Sequence, residues 1–158
     1  MRIKLLPVFF CLFVLSVLGQ EKEARRFDEY GTIPCDEYLA RADNMIIAQK
    51  SNPDSKIYVF VYEGKEKRSV YNKGEMTYKS VLPPRGLAKA KIDSMKKYVA
   101  LKISPIESYV FANGGLREDF WVEIWVVPNG AEPPKPTPTL KKIKYRKGKA
   151  RGFCLDCC

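Results

Sequence analysis

The residues of this chain with the most definite chemistry are four cysteines that follow residue 20: Cys35, Cys154, Cys157 and Cys158. In an oxidising compartment four thiols allow three disulfide pairings. We favour a bond between Cys35 and one of the C-terminal cysteines, because it would hold the end of the chain against the first helix. The two-residue spacing in Cys154-Leu-Asp-Cys157 leaves a four-thiolate zinc site as the alternative. We predict a disulfide, and neither a metal nor another cofactor.

Histidine is absent from the 158 residues. Its absence removes Ser-His and Cys-His nucleophilic pairs, histidine metal ligands and a histidine general base. Carboxylate chemistry stays open, although no paired-acid motif is present. We therefore predict a protein that is not an enzyme, with an enzyme using acids between residues 63 and 86 as the less favoured alternative.

The first 19 residues have the layout of a secretory signal peptide. Arg2 and Lys4 precede an apolar run from Leu5 to Leu18, and Gly19 closes it. This run is 14 residues long, whereas a membrane-spanning helix takes roughly 20. We predict cleavage after Gly19, export to the periplasm or the medium, and no membrane span in the mature chain.

The net charge of +10 is concentrated near the C-terminus. Residues 20–130 carry 18 Lys and Arg against 16 Asp and Glu, and residues 131–158 carry 8 against 2. The basic residues that follow one another without an acid are Lys141, Lys142, Lys144, Arg146, Lys147, Lys149 and Arg151. Such a run favours an anionic envelope component as partner, with a simple solvated tail as the alternative. Export argues against nucleic acid.

Hydrophobic periodicity predicts two helices and four strands. The helices are expected at 36–50 and 87–102, and the strands at 27–34, 57–62, 108–112 and 120–127. Residues 63–86 are expected to form a long loop, and Asn113-Gly114-Gly115 a tight connection between the last two strands. The fold class is α+β, a two-layer sandwich in the order strand-helix-strand-helix-strand-strand, with both helices on one face of a mixed sheet.

The division of the chain follows from these elements. We predict a signal peptide at 1–19, a charged spacer at 20–26, one domain at 27–130 and a Pro-rich, basic, Cys-ending tail at 131–158.

Alternation along the strands places Ile57, Val59 and Val61 towards the helices. The opposite face is then aromatic and is expected to carry Tyr58, Phe60, Tyr62, Trp121 and Trp125, together with Tyr109 and Phe111. An uncovered apolar face of this size usually marks a contact site. Three occupants stay open: the chain's own Pro-rich tail, a partner protein, or a second copy in a homodimer.

The segments FDEYGTIP, KIYVFVYEG, KIDSMKKYV and VEIWVVP, in this order over residues 27–130, resemble the OmpA-like C-terminal domain, the peptidoglycan-associated module. The chain is also similar to uncharacterised bacterial exported proteins with a Pro-rich C-terminal tail. The resemblance implies a periplasmic location and peptidoglycan as a partner.

Two positions depart from the family's binding motif, so the resemblance is to a degenerate member. The turn after the central strand reads Tyr62-Glu63-Gly64-Lys65 where the family carries a Gly-His-Thr-Asp type turn, and Lys91 stands where the family carries an arginine. A lysine does not reproduce the bidentate fork of arginine. We predict an exported, non-catalytic binding module, and as the alternative a degenerate peptidoglycan-binding domain that uses Glu63 and Lys91.

Overall fold

The computed structural model of the protein describes residues 23–72, 74–102 and 104–155. Its elements are two helices, five strands and a short 3-10 turn. They are β1 (Arg25–Tyr30), α1 (Cys35–Ser51), β2 (Ser55–Asn72), β3 (Glu75–Val81), α2 (Leu87–Leu101), the turn Ile106–Ser108, β4 (Tyr109–Asp119) and β5 (Trp121–Pro128). The predicted signal peptide lies outside the described residues.

The five strands form a mixed sheet. Its body has the order β4-β2-β5-β1, in which β2 is parallel to β4 and antiparallel to β5, and β5 is antiparallel to β1. The second half of β2 leaves this body and pairs with β3 alone. A parallel neighbour needs a crossover connection, which here contains β3 and α2.

Both helices pack on one face of the sheet, which confirms the predicted fold class. The core joins the helical stripes, among them Met45 and Met95, to the inward side chains of β2 and β5. Ile57, Val59 and Val61 are fully buried there, opposite Val126, Ile124 and Val122 across the β2–β5 ladder.

β4 and β5 lie on opposite sides of β2. The chain that connects β4 to β5 must therefore pass over β2. The crossing is at Gly64: a Cβ atom there would overlap the backbone of Asp119 and Phe120. The amide of Phe120 donates to the carbonyl oxygen of Lys65 at 2.9 Å, which fixes the crossing point. Gly64 is therefore required by the close approach of two backbones.

The structure corrects two sequence-based expectations about loops. Residues 63–86 are mostly the β2–β3 hairpin, with seven paired positions from Glu66↔Val81 to Asn72↔Glu75, and not an irregular loop. Asn113-Gly114-Gly115 lies inside β4 and does not connect two strands.

The two glycines of that segment have packing roles. Gly115 has φ +95° and lies against Pro138, and Gly114 leaves room for the Tyr62 ring.

Tyr109 and Phe111 correct a third expectation, because they face the helices. They pair with Ile57 and Val59 across the parallel ladder and belong to the helix-side core or pack against it.

Candidate functional site: an anchored basic strap

The C-terminal segment is attached to the domain at several points, and we call residues 131–155 the strap. It leaves β5 through a turn in which the amide of Ala131 donates to the carbonyl oxygen of Pro128. It then follows the aromatic face, pairs with the β4 edge at Leu116↔Leu140, passes the base of the hairpin at Pro84↔Arg146, and reaches the helices. Because an unpaired edge strand is open to aggregation, this contact protects the β4 edge at Leu116.

The strap holds the aromatic face through a buried hydrogen-bond network. The carboxylate of Glu123, which is 2% exposed, accepts from the Tyr62 hydroxyl at 2.9 Å and from the Arg117 guanidinium at 2.7 Å. The Tyr62 oxygen in turn accepts the backbone N–H of Thr137 at 3.0 Å. Arg117 also donates to the Thr137 carbonyl and hydroxyl oxygens. Every polar group of this network has a partner, so the Pro-rich part of the strap is tied to a fixed point of the sheet.

The aromatic residues predicted to face a partner have different exposures. Phe60 and Tyr62 are buried, and the guanidinium carbon of Arg117 lies 3.7 Å from the centre of the Tyr62 ring. Tyr58, Trp121 and Trp125 are partly exposed. Trp125 lines a cleft together with Pro133 and Pro134 of the strap. Of the three predicted occupants of this face, the structure therefore places the chain's own tail there.

Two of the predicted binding residues, Glu63 and Lys91, also contact the strap. Glu63 accepts from the backbone N–H of Ala88, in the first turn of α2, and from the Tyr145 hydroxyl at 2.8 Å. Burial, and then the Glu63 carboxylate, raise the pKa of Tyr145.

Lys91 is partly buried beneath the end of the strap. Its Nζ atom lies 3.7 Å from Glu66 Oε1, 3.5 Å from the carbonyl oxygen of Gly152 and 4.3 Å from the ring centre of Phe153. Burial lowers the pKa of Lys91, and the Glu66 carboxylate opposes that shift. The positions at which the family resemblance places a ligand are therefore filled by residues of the strap.

The end of the strap is attached to the helices by stacking and by a covalent bond. The Phe153 ring lies 3.8 Å from the Tyr38 ring at an angle of 7°, and its backbone N–H donates to Ser94 Oγ. Cys154 forms a disulfide with Cys35, which confirms the predicted link between the tail and the start of the first helix. A zinc site using all four cysteines is incompatible with this bond. Cys157 and Cys158 lie outside the described residues.

Between these attachments the strap presents its cations to solvent. The exposed members of the predicted basic set are Lys141, Lys142, Lys144, Lys147, Lys149 and Arg151. In the described part of the chain none of these six forms an ion pair within 4 Å. Arg146 differs, because its backbone N–H donates to Pro83 and its side chain is partly buried.

Some residues that matter here were missed from sequence. Arg117, Glu123 and Thr137 carry the first attachment, and no motif distinguishes them from surface residues. Glu123 alone gave a signal, since an acid between Val122 and Ile124 in a buried strand needs a partner.

The described ranges contain neither a membrane-spanning helix nor a metal-binding cluster. No helix there is long and apolar enough to cross a membrane, and no group of three or more Cys, Asp or Glu side chains is arranged to hold a metal ion.

Comparisons with protein-family models, with curated proteins and with solved structures each find no match to this chain.

Proposed function

We propose that the protein is an exported, non-catalytic module that binds an anionic component of the cell envelope through the cations of its strap. The observation that carries this proposal is the attachment of the strap on both sides of its basic run: at Thr137 and Leu140 before it, and at Phe153 and Cys154 after it. Because the backbone is ordered before binding, an anionic partner meets preorganised charges and the entropy cost of ordering them is reduced.

The buried acids support a non-catalytic function. Glu63, Glu66 and Glu123 are the buried carboxylates of the described chain. Each is held by a cation, a tyrosine or a backbone amide of the same chain. An acid used as a nucleophile or general base would need to face a substrate, and these three face structural partners.

The alternative is peptidoglycan binding by Glu63 and Lys91, as the family resemblance implies. It requires Tyr145, Gly152 and Phe153 to leave their present contacts before a ligand can reach either side chain.

Co-sedimentation with purified cell-wall sacculi and with vesicles containing anionic lipid tests both proposals. The strap variant Lys141→Gln/Lys142→Gln/Lys144→Gln removes three strap charges. Its matched control, Lys50→Gln/Lys56→Gln/Lys97→Gln, removes three exposed charges from the body of the domain.

At about 1 kcal/mol for each lysine beside an anionic surface, the strap variant should bind on the order of 100-fold more weakly. The control should change binding much less. Equal weakening by both variants would show that only net charge matters, and the strap would lose its assigned role. Binding to sacculi that survives the strap variant but is lost in Glu63→Ala and Lys91→Ala would support the alternative.

A further inference from the structure

The β2–β3 hairpin extends away from the two-layer body. From Lys67 to Ser80 its described residues are exposed except for Val70, which is partly exposed. At about 3.4 Å per residue, the six steps that separate Glu66 from Asn72 project roughly 20 Å. A two-stranded hairpin alone is only marginally stable in water. A contact surface at its tip would stabilise it.

One face of this hairpin is apolar. Tyr71 is paired with Met76, and Ser69 with Tyr78, so the three large side chains lie on the same side of the ribbon. Tyr71 is 77% exposed, Met76 is 55% exposed and Tyr78 is 64% exposed. Tyr71 and Tyr78 are the most exposed aromatic side chains among the described residues, and Met76 lies beside them on the same face.

The charges of the hairpin indicate which kind of partner fits this face. Its exposed described residues carry Lys67, Arg68 and Lys79 against Glu75. Glu66 at the base of the hairpin pairs with both Arg68 and Lys91, so it does not offset the hairpin's excess of positive charge. Two hairpins of this charge would repel each other, which disfavours a second copy as the occupant.

The strap brings further cations to the base of the same hairpin. Arg146 is bridged to Pro84, three residues after the end of β3, and Tyr145 is bonded to Glu63, three residues before β2 begins to pair with β3. Exposed lysines of the strap flank this point on both sides. The hairpin and the basic strap therefore meet at the hairpin base, and we call the apolar face of the hairpin and the exposed cations of both segments the cationic surface.

We propose that this surface docks on an anionic lipid bilayer, with Tyr71, Met76 and Tyr78 inserted at the interface and the cations of the hairpin and strap at the headgroups. Tyrosine has an apolar ring and a polar hydroxyl that suit the headgroup level, and lysine and arginine extend their charges to phosphates. Stable membrane attachment needs two signals, and an apolar insertion beside a basic patch supplies both. This inference rests on the proposed function and identifies the anionic component as lipid.

The experiment compares two ligands and three variants of the full mature protein with its disulfide intact. The ligands are vesicles of equal parts phosphatidylglycerol and phosphatidylcholine, and soluble dextran sulfate. The hairpin variant is Tyr71→Ser/Met76→Ser/Tyr78→Ser, and its matched control is Val70→Ser/Thr77→Ser on the opposite face of the ribbon. The third is the strap variant described above. Circular dichroism checks that each variant keeps the fold.

The hairpin variant should bind vesicles on the order of 100-fold more weakly and dextran sulfate unchanged. Its control should bind both ligands like the wild type. The strap variant should bind both more weakly. A single Tyr71→Trp substitution should show a blue shift in fluorescence on vesicles and none on dextran sulfate.

Vesicle binding by the hairpin variant at wild-type strength would overturn the insertion while leaving the proposed function intact. The insertion would also be overturned if the wild-type protein bound dextran sulfate but not vesicles. A dimer detected by sedimentation and lost in the hairpin variant would overturn it as well. Unchanged binding of the strap variant to both ligands would instead refute the proposed function.

Discussion

The removal of one hydroxyl group tests whether the strap is part of the folded structure. Tyr62→Phe keeps the fully buried ring in place and deletes the oxygen that connects the sheet to the strap. That oxygen donates to Glu123 at 2.9 Å and accepts from the Thr137 amide at 3.0 Å. The substitution therefore breaks two hydrogen bonds without opening a large cavity.

The expected cost follows from the two bonds. A hydrogen bond to a charged acceptor contributes about 1.5–3 kcal/mol, and one between neutral groups about 1 kcal/mol. Glu123 keeps its bond to Arg117, so its carboxylate does not become fully unsatisfied. We expect the free energy of unfolding to fall by about 3 kcal/mol.

Urea unfolding of the oxidised protein measures this change, with Tyr38→Phe as the matched control. Tyr38 is equally buried, but its hydroxyl has no hydrogen-bond partner among the described residues. Removing that hydroxyl should leave stability unchanged or raise it by about 1 kcal/mol. Hydrogen exchange supplies a second measurement, because the Thr137 amide should lose protection in Tyr62→Phe alone. The reasoning is refuted if both variants unfold within about 0.5 kcal/mol of the wild type and the Thr137 amide stays protected.

Three further predictions concern other parts of the fold. Replacing Cys35 and Cys154 together by alanine opens a loop of 119 residues, which should cost up to about 5 kcal/mol in thermal or urea unfolding, and an unchanged midpoint would contradict the link. Gly64→Ala should prevent folding or cost more than about 3 kcal/mol because its Cβ meets backbone, whereas Gly74→Ala, with φ +86° and open space, should cost only about 1 kcal/mol. Burial raises the pKa of Tyr38 above its usual value, because the folded state favours the neutral phenol. The free energy of unfolding should therefore be unaffected by this group below about pH 10 and should fall at higher pH, where the unfolded tyrosine ionises. A pH series of urea midpoints should show this decline, and Tyr38→Phe should reduce it.

The parts of the fold that could be predicted are those with a one-sided hydrophobic pattern. The stripes that contain Met45 and Met95 located both helices, and alternation from Ile57 to Tyr62 assigned the correct side chains to the core. A bond between Cys35 and one of the tail cysteines was also predicted from sequence, although Cys154 was not distinguished from the other two.

The hairpin could not be predicted by the same reasoning. Residues 67–72 and 74–80 are exposed on both sides apart from the partly exposed Val70, and the alternation at Met76, Thr77 and Tyr78 is too short to mark two strands. The β2–β4 and β2–β5 pairings depend on the crossing at Gly64, which is a contact between segments far apart in sequence. The local sequence Asn113-Gly114-Gly115 therefore indicated a turn, although these residues lie inside β4.

The order of the strap was unpredictable for a different reason, and that reason explains how the domain keeps a basic tail in place. Proline-rich, lysine-rich composition is typical of disordered chain, and the groups that hold the strap are mostly on the domain. Glu123 holds Tyr62 and Arg117, Glu63 holds Tyr145, and Glu66 holds Lys91, which itself contacts Gly152 and Phe153. Each attachment pairs a buried acid of the sheet with a donor that reaches the strap, while the strap's own exposed lysines take no part. Because the charges that hold the strap are separate from the charges that it presents, its lysines can be neutralised by mutation or by a partner without releasing it.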